Sequence, residues 1–143
     1  AVTSGLLDRI PSVYMKRPLL YRMIKYILRT KFNRPIVIPY SKAAPLFTHS
    51  SFDRKEYVIP TLIPNWDHSP RSGGNAVILH NASPEAFQKH CESVLSVVKE
   101  KENKVVFLKS WNEWGEGNYM EPDLKYGKGY IKALAKAIKK VFP

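Results

Sequence analysis

Between Trp111 and Asp123 the chain carries four carboxylates, Glu113, Glu116, Glu121 and Asp123, and no Lys or Arg, although its formal net charge is +11. Paired carboxylates are the equipment of glycosyl chemistry. One protonates a leaving oxygen while the other activates a nucleophile or stabilises developing positive charge. Glu113 and Glu116 stand three residues apart, enclosed by Trp111, Trp114, Gly115 and Gly117. The indoles offer an apolar wall and a stacking surface for the C–H face of a sugar. Apolar burial beside one glutamate would raise its pKa and keep it protonated as an acid. Asn112 can hydrogen-bond a substrate hydroxyl or fix a glutamate, and the glycines let the backbone turn sharply. A solvated loop with tryptophans in the core is the competing reading. It is preferred for Glu121 and Asp123, and composition leaves both readings open for Glu113 and Glu116. The glycines do not form a phosphate loop: Gly115 and Gly117 are a lone GxG without the following helix.

Such a cluster needs a rigid element to hold it. Val105, Val106, Phe107 and Leu108 form an apolar run read as a buried strand, which places the acidic stretch at the C-terminal mouth of a parallel sheet. Upstream, residues 1–18 read as an arm or loop. Leu19 to Thr30 has helical spacing, with Leu19, Leu20, Met23, Ile24, Ile27 and Leu28 on one side and Arg22, Lys25 and Arg29 on the other. Its apolar stripe is expected on a core, with an interfacial helix at an anionic membrane as the alternative. Ile36 to Ile38 reads as a strand ending at Pro39, and Tyr40, at its exit, is a candidate substrate contact. Ala43 to Arg54 reads as loop or short helix. Tyr57 to Ile63 is a second strand interrupted at Pro60, running into Trp66, Asp67, His68 and Arg71, a polar group suited to a ligand. Ala76 to Leu79 is a further short extended run.

Ser83-Pro84-Glu85 signals a helix start, with Ser83 as N-cap and Pro84 in the first turn. Phe87, Cys91, Val94, Leu95 and Val98 continue that helix to about Lys101, which makes Cys91 a buried thiol and puts His90 on the flank. Tyr130 to Val141 is the last helix. Apolar strands alternating with helices indicate an α/β fold with parallel pairing. About three strands are convincing, and a parallel sheet that small leaves open edges. The chain is therefore expected to be a single domain over residues 1–143 or, better, part of a larger barrel.

The remaining composition narrows the function. No apolar run is long enough to span a membrane. The single Cys91 excludes an internal disulfide, and His49, His68, His80 and His90 lack metal-ligand spacing. No metal and no cofactor are expected, and a reducing, cytosolic setting fits best. Lys16, Arg17, Arg22, Lys25, Arg29, Lys31 and Arg34 come with no acid among them, which favours anionic partners. Nucleic acid is the weaker of these, because no recognition motif accompanies the charge.

The run Trp111 to Gly117, followed by Met120-Glu121-Pro122-Asp123 and Tyr126-Gly127, resembles the signature of the WbsX-type polysaccharide-biosynthesis proteins. That family is described as glycosyltransferases and as related to the endo-acting α-mannosidases of glycoside hydrolase family 99. The resemblance extends to Pro64–Arg71, where the family pattern is approximately PGWDNTPR, and covers roughly residues 35 to 131. It implies that the chain is the C-terminal portion, about three βα units, of a (β/α)8 TIM barrel. It implies a retaining mechanism in which Glu116 is general acid/base and Glu113 assists the sugar's 2-hydroxyl in attacking its own anomeric carbon. Trp66, Asp67 and Arg71 would line the cleft, with an oligosaccharide or sugar-lipid as substrate. Separately, the basic exterior suits a cytoplasmic protein in contact with the inner face of an anionic membrane. The missing barrel segment would come from elsewhere in the protein or from a homo-oligomer. His68 replaces the family's asparagine and Asn65 its glycine, so the donors beside Asp67 differ.

Overall fold

A computed structural model of the chain describes residues 2, 3, 18–48 and 50–143. Its strands are β1 (Val2–Thr3), β2 (Ile36–Pro39), β3 (Val58–Ile59), β4 (Thr61–Leu62), β5 (Val77–His80), β6 (Phe107–Leu108), β7 (Asn112–Glu113) and β8 (Asn118–Tyr119). Three long helices, α1 (Pro18–Phe32), α2 (Pro84–Lys99) and α3 (Gly129–Val141), accompany them, with short helical turns between. The three long helices and strands β2 to β6 fall where the sequence suggests, whereas β1 and the β7–β8 pair are not expected from it. Of the expected N-terminal arm, only Val2, Thr3 and Pro18 lie within the described residues. Val2 and Thr3 pair with β3, and Pro18 opens α1.

Strand pairing is parallel in β1–β3, β2–β5 and β4–β6, as alternating strands and helices require. Among the described residues these remain separate two-stranded pairs rather than one continuous sheet. The architecture is mixed α/β with short parallel strands. Pro60 splits the expected Tyr57–Ile63 strand into β3 and β4, and its carbonyl still accepts from the Phe107 amide at 2.9 Å. The run Val105–Leu108 is corrected in two ways. Only Phe107 and Leu108 are strand, and Val105 and Phe107 are exposed. The cause is the two-residue period of a strand: Val106 and Leu108 turn onto the core, and the alternate pair faces away from it.

α2 and α3 build the main core. Ser83 caps α2, its Oγ accepting from the Ala86 amide at 3.2 Å, and Pro84 occupies a position where a missing N–H costs nothing. Phe87, Cys91, Val94, Leu95 and Val98 then point inward onto Tyr130, Ala133, Ala137 and Val141 of α3. Gly129 starts α3 where a Cβ would stand 2.8 Å from Pro84 Cγ, so glycine is what lets the two helix starts meet. Burial pushes the Cys91 thiol up to about 12, in keeping with a structural role.

A second core holds Ile38, Tyr40, Ala43, Phe47, Ile63 and Leu79. His90, expected on the α2 flank, is instead buried where the two cores meet. Its Nε2 accepts from the Ile63 amide at 3.2 Å and its ring meets Phe47 edge-on at 5.0 Å. Burial lowers its pKa to about 4, against a smaller opposing influence from the Thr61 backbone. Lys101 is buried too, and its ammonium donates to the Asp53 and Val58 carbonyls.

α1 departs from the expected packing. The helix forms as predicted, but its apolar stripe is divided. Tyr21 is buried and Leu20, Ile24 and Leu28 are half-buried, whereas Leu19, Met23, Tyr26 and Ile27 are exposed.

Candidate active site

The acidic stretch is not a plain loop. β7 and β8 pair antiparallel, Asn112 with Tyr119 and Glu113 with Asn118, around a single helical turn at Trp114–Glu116. Gly117 closes the turn at φ +50°, a left-handed conformation that glycine takes without strain. Ser110, at the exit of β6, locks the hairpin base. Its Oγ donates to the Asn118 carbonyl at 2.9 Å and accepts from the Glu113 amide at 3.1 Å.

The hairpin is fastened to the Pro64–Arg71 segment by backbone and amide groups. The Asp67 amide donates to the Glu116 carbonyl at 2.9 Å. Asn118, fully buried, donates from Nδ2 to the Asn65 carbonyl at 2.5 Å, and Asn65 Oδ1 accepts from the Tyr119 amide at 2.9 Å. A Cβ on Gly117 would sit 2.7 Å from Asp67 Cβ, so the close approach depends on that glycine as well. Asp67 Oδ1 accepts from the Ser69 amide at 2.9 Å and its hydroxyl at 2.5 Å, which starts the short helical turn Ser69–Ser72. That turn carries Arg71.

Arg71 then joins both glutamates. Its Nη1 donates to Glu116 Oε1 at 2.9 Å and its Nη2 to Glu113 Oε1 at 3.1 Å. His68 Nε2 lies 3.6 Å from Glu116 Oε1 and Lys109 Nζ lies 3.8 Å from Glu116 Oε2. The Glu116 side chain is 16% exposed and that of Glu113 42%, so one carboxylate is enclosed and the other open. Trp66 stacks on His68 with centroids 5.6 Å apart and holds Lys109 Nζ 5.1 Å above its own ring. The surroundings of Glu116 are thus cationic, and the apolar burial expected beside one of the two glutamates is not found at this one.

The tryptophans divide their work. Trp111 is 52% exposed and presents a free aromatic surface at the hairpin's start. Trp114 stacks on Tyr119 at 3.8 Å, and its indole N–H donates to Glu121. Glu121 therefore buttresses a ring, and Asp123 Oδ1 accepts from the Lys125 amide at 2.7 Å to shape the next turn. Asn112 is exposed beside Trp111.

The structure thus gathers Trp66, Asp67, His68, Arg71, Trp111, Asn112, Glu113, Trp114 and Glu116 on two adjoining segments. Tyr40 is not among them. It is wholly enclosed, its hydroxyl donates to the Ile63 carbonyl at 2.5 Å, and burial pushes its pKa well up. It belongs to the second core because its ring packs edge-on against Phe47. Sequence reasoning missed Lys109, Ser110 and Asn118. Lys109 and Ser110 follow β6 directly, so their place at a strand exit was the available signal. Asn118 gave none, since its burial depends on a partner 53 residues away. No group of three or more His, Cys, Asp and Glu side chains among the described residues is placed to hold a metal ion.

Comparison with known proteins adds the chemistry's context. The family model described as "Glycosyltransferase WbsX" matches residues 9–134. A protein of Xanthomonas campestris pv. campestris strain B100, named "Uncharacterized protein WxcX", is 30% identical over 88 residues, which is 59% of this chain and 13% of that protein. The WxcX protein of strain ATCC 33913 matches to the same extent, 30% over 88 residues. The chain thus spans 13% of the length of the curated relatives it matches. No solved structure matches.

Proposed function

The chain belongs to the WbsX glycosyltransferase family, and from that premise we propose that it makes or breaks glycosidic bonds in surface-polysaccharide or lipopolysaccharide biosynthesis. The observation that carries this reading is the single Arg71 guanidinium shared by Glu113 and Glu116. It holds two carboxylates of one hairpin on one guanidinium, which supports this reading because glycosyl chemistry works with paired carboxylates.

In this reading Glu116 is the general acid/base, and Glu113, the more open carboxylate, assists the sugar's 2-hydroxyl as that oxygen attacks its own anomeric carbon. As the C1–O2 bond forms, the 2-hydroxyl proton passes to Glu113, and the bond from C1 to the leaving oxygen breaks as that oxygen takes the proton of Glu116. Water or an acceptor hydroxyl, deprotonated by Glu116, then opens the 1,2-anhydro sugar at C1 while O2 recovers its proton from Glu113. These two displacements give retention without a covalent enzyme intermediate. Proton donation by Glu116 requires Arg71 to release it. A substrate hydroxyl or phosphate that engages the guanidinium would do so, coupling substrate arrival to acid function. Trp111 stacks on the sugar face, Asn112 bonds a hydroxyl, and Trp66, His68 and Lys109 line the adjoining wall. Asp67 acts through Arg71 as a positioning residue, because its carboxylate is engaged with Ser69.

The substrate is an oligosaccharide or sugar-lipid, and the reaction takes place in the cytoplasm at the inner membrane face. The described strand pairs are the last units of a (β/α)8 barrel akin to family 99 glycosidases, whose remainder comes from the rest of a longer protein or from a second copy. The test is turnover of the source cell's sugar-lipid fraction by the intact protein. Glu113→Gln and Glu116→Gln each lower the rate by about a hundredfold or more. Full activity in either variant overturns the roles assigned here.

A second reading, sugar binding without turnover, is favoured by the exposure of Trp111 and Glu113. Glycan binding that survives both substitutions, with no product from the wild type, would select it.

A further inference from the structure

We propose that the outward face of α1 is a peripheral docking surface for an anionic phospholipid bilayer. At about 100° per residue, Tyr26, Leu19, Met23 and Ile27 fall within one arc of about 100°. All four are exposed, Leu19 at 78% and Tyr26 at 68%. Arg22, Lys25 and Arg29 fill the neighbouring arc of about 60°. Arg22 and Arg29 are exposed, and Lys25 lies over the Tyr21 ring at 5.9 Å. The inward arc is Leu20, Tyr21, Ile24 and Leu28, so the helix meets the described body of the protein on one side, and its other two arcs are exposed apart from the half-buried Lys25.

The charge of this region decides the partner. Between residues 9 and 52 the sequence has no Asp or Glu, so no acidic side chain on α1 or its neighbours in sequence offsets the basic arc. An apolar strip beside an unrelieved basic strip matches the interface of a bilayer, with acyl chains below and anionic headgroups beside them. A helix of 15 residues lies in that plane, and no helix among the described residues is long and apolar enough to cross. The surface is separate from the carboxylate pair, so this inference stands whether or not the proposed chemistry does.

Co-sedimentation with phospholipid vesicles at physiological salt tests it. The intact protein should sediment with phosphatidylcholine vesicles containing about 30% phosphatidylglycerol and remain free of pure phosphatidylcholine. Met23→Ser with Ile27→Ser, which leaves the charge unchanged, should weaken binding by about tenfold or more, as should Arg22→Glu with Arg29→Glu. Lys132→Glu with Lys136→Glu on α3, the same change of charge elsewhere, should leave binding within about twofold. Helical circular dichroism confirms that each variant is folded. Equal binding by the Met23/Ile27 variant, or equal loss in the α3 variant, would mean adsorption of a basic protein and would overturn the proposal. So would wild type that ignores the vesicles, including the case in which light scattering shows this face joining two copies.

Discussion

α2 and α1 are amphipathic helices of nearly equal length, 16 and 15 residues, with opposite fates. α2 buries its apolar face from Phe87 to Val98 against α3, whereas α1 buries Tyr21 and leaves Leu19, Met23, Tyr26 and Ile27 outside. The difference lies in the partner. α3 supplies Ala133 and Ala137, small residues that let two helices approach closely, and Gly129 lets their starts touch. α1 rests on little more than its inward arc and the close approach of Gly74 to Asn33 just past its C-terminus, where the Arg34 amide closes the helix on the Leu28 carbonyl at 3.0 Å. Apolar periodicity establishes that a helix has two faces. What the apolar face meets is decided elsewhere in the chain.

Substitutions should separate the two helices sharply. Phe87→Ala, at a fully buried position, should lower stability by about 3–5 kcal/mol in urea titration. A loss near that of a surface change would mean that α2 is not the core helix described. The next effect is electrostatic. His90 is neutral in the fold because its pKa is lowered from 6.5 to about 4. Its contribution is complete above pH 6.5 and is lost as pH falls toward 4, where the unfolded chain takes up a proton that the native chain resists. At about 1.4 kcal/mol per unit, about 3 kcal/mol disappears across that window. Urea midpoints at pH 7 and pH 4 measure it, and His90→Gln, which keeps an acceptor for the Ile63 amide, should flatten the slope. Ser83→Ala should cost about 1 kcal/mol through loss of the α2 cap. Smallest is Met23→Ala on α1, expected within about 0.5 kcal/mol. A cost approaching that of Phe87→Ala would show that the α1 face is covered after all and erase the contrast.

The same contrast explains what could be read in advance. The N-cap at Ser83, the α2 periodicity and the split at Pro60 are local signals, and each predicted its element correctly. Glu113, Glu116 and Arg71 were recognisable as chemistry-bearing residues, but the carboxylate–guanidinium bridge spans 42 and 45 residues and could not be read from spacing. Tyr40 was misread as a substrate contact because its position at a strand exit looks the same from the sequence whether the ring turns inward or outward. Its hydroxyl found the Ile63 carbonyl, which decided the matter. Val105 and Phe107 show the converse, an apolar run whose alternate members face away from the core.

The main-chain bond from Asp67 to Glu116, with the Asn65–Asn118 contacts beside it, bears on how such a protein can be re-engineered. The two segments share a register, so a one-residue insertion in either displaces Arg71 from both carboxylates at once. Specificity would therefore not transfer by grafting the tryptophan–glutamate hairpin alone. The unit of exchange is the hairpin and the Asn65–Arg71 segment together, moved as one cassette with Gly117 kept at their seam.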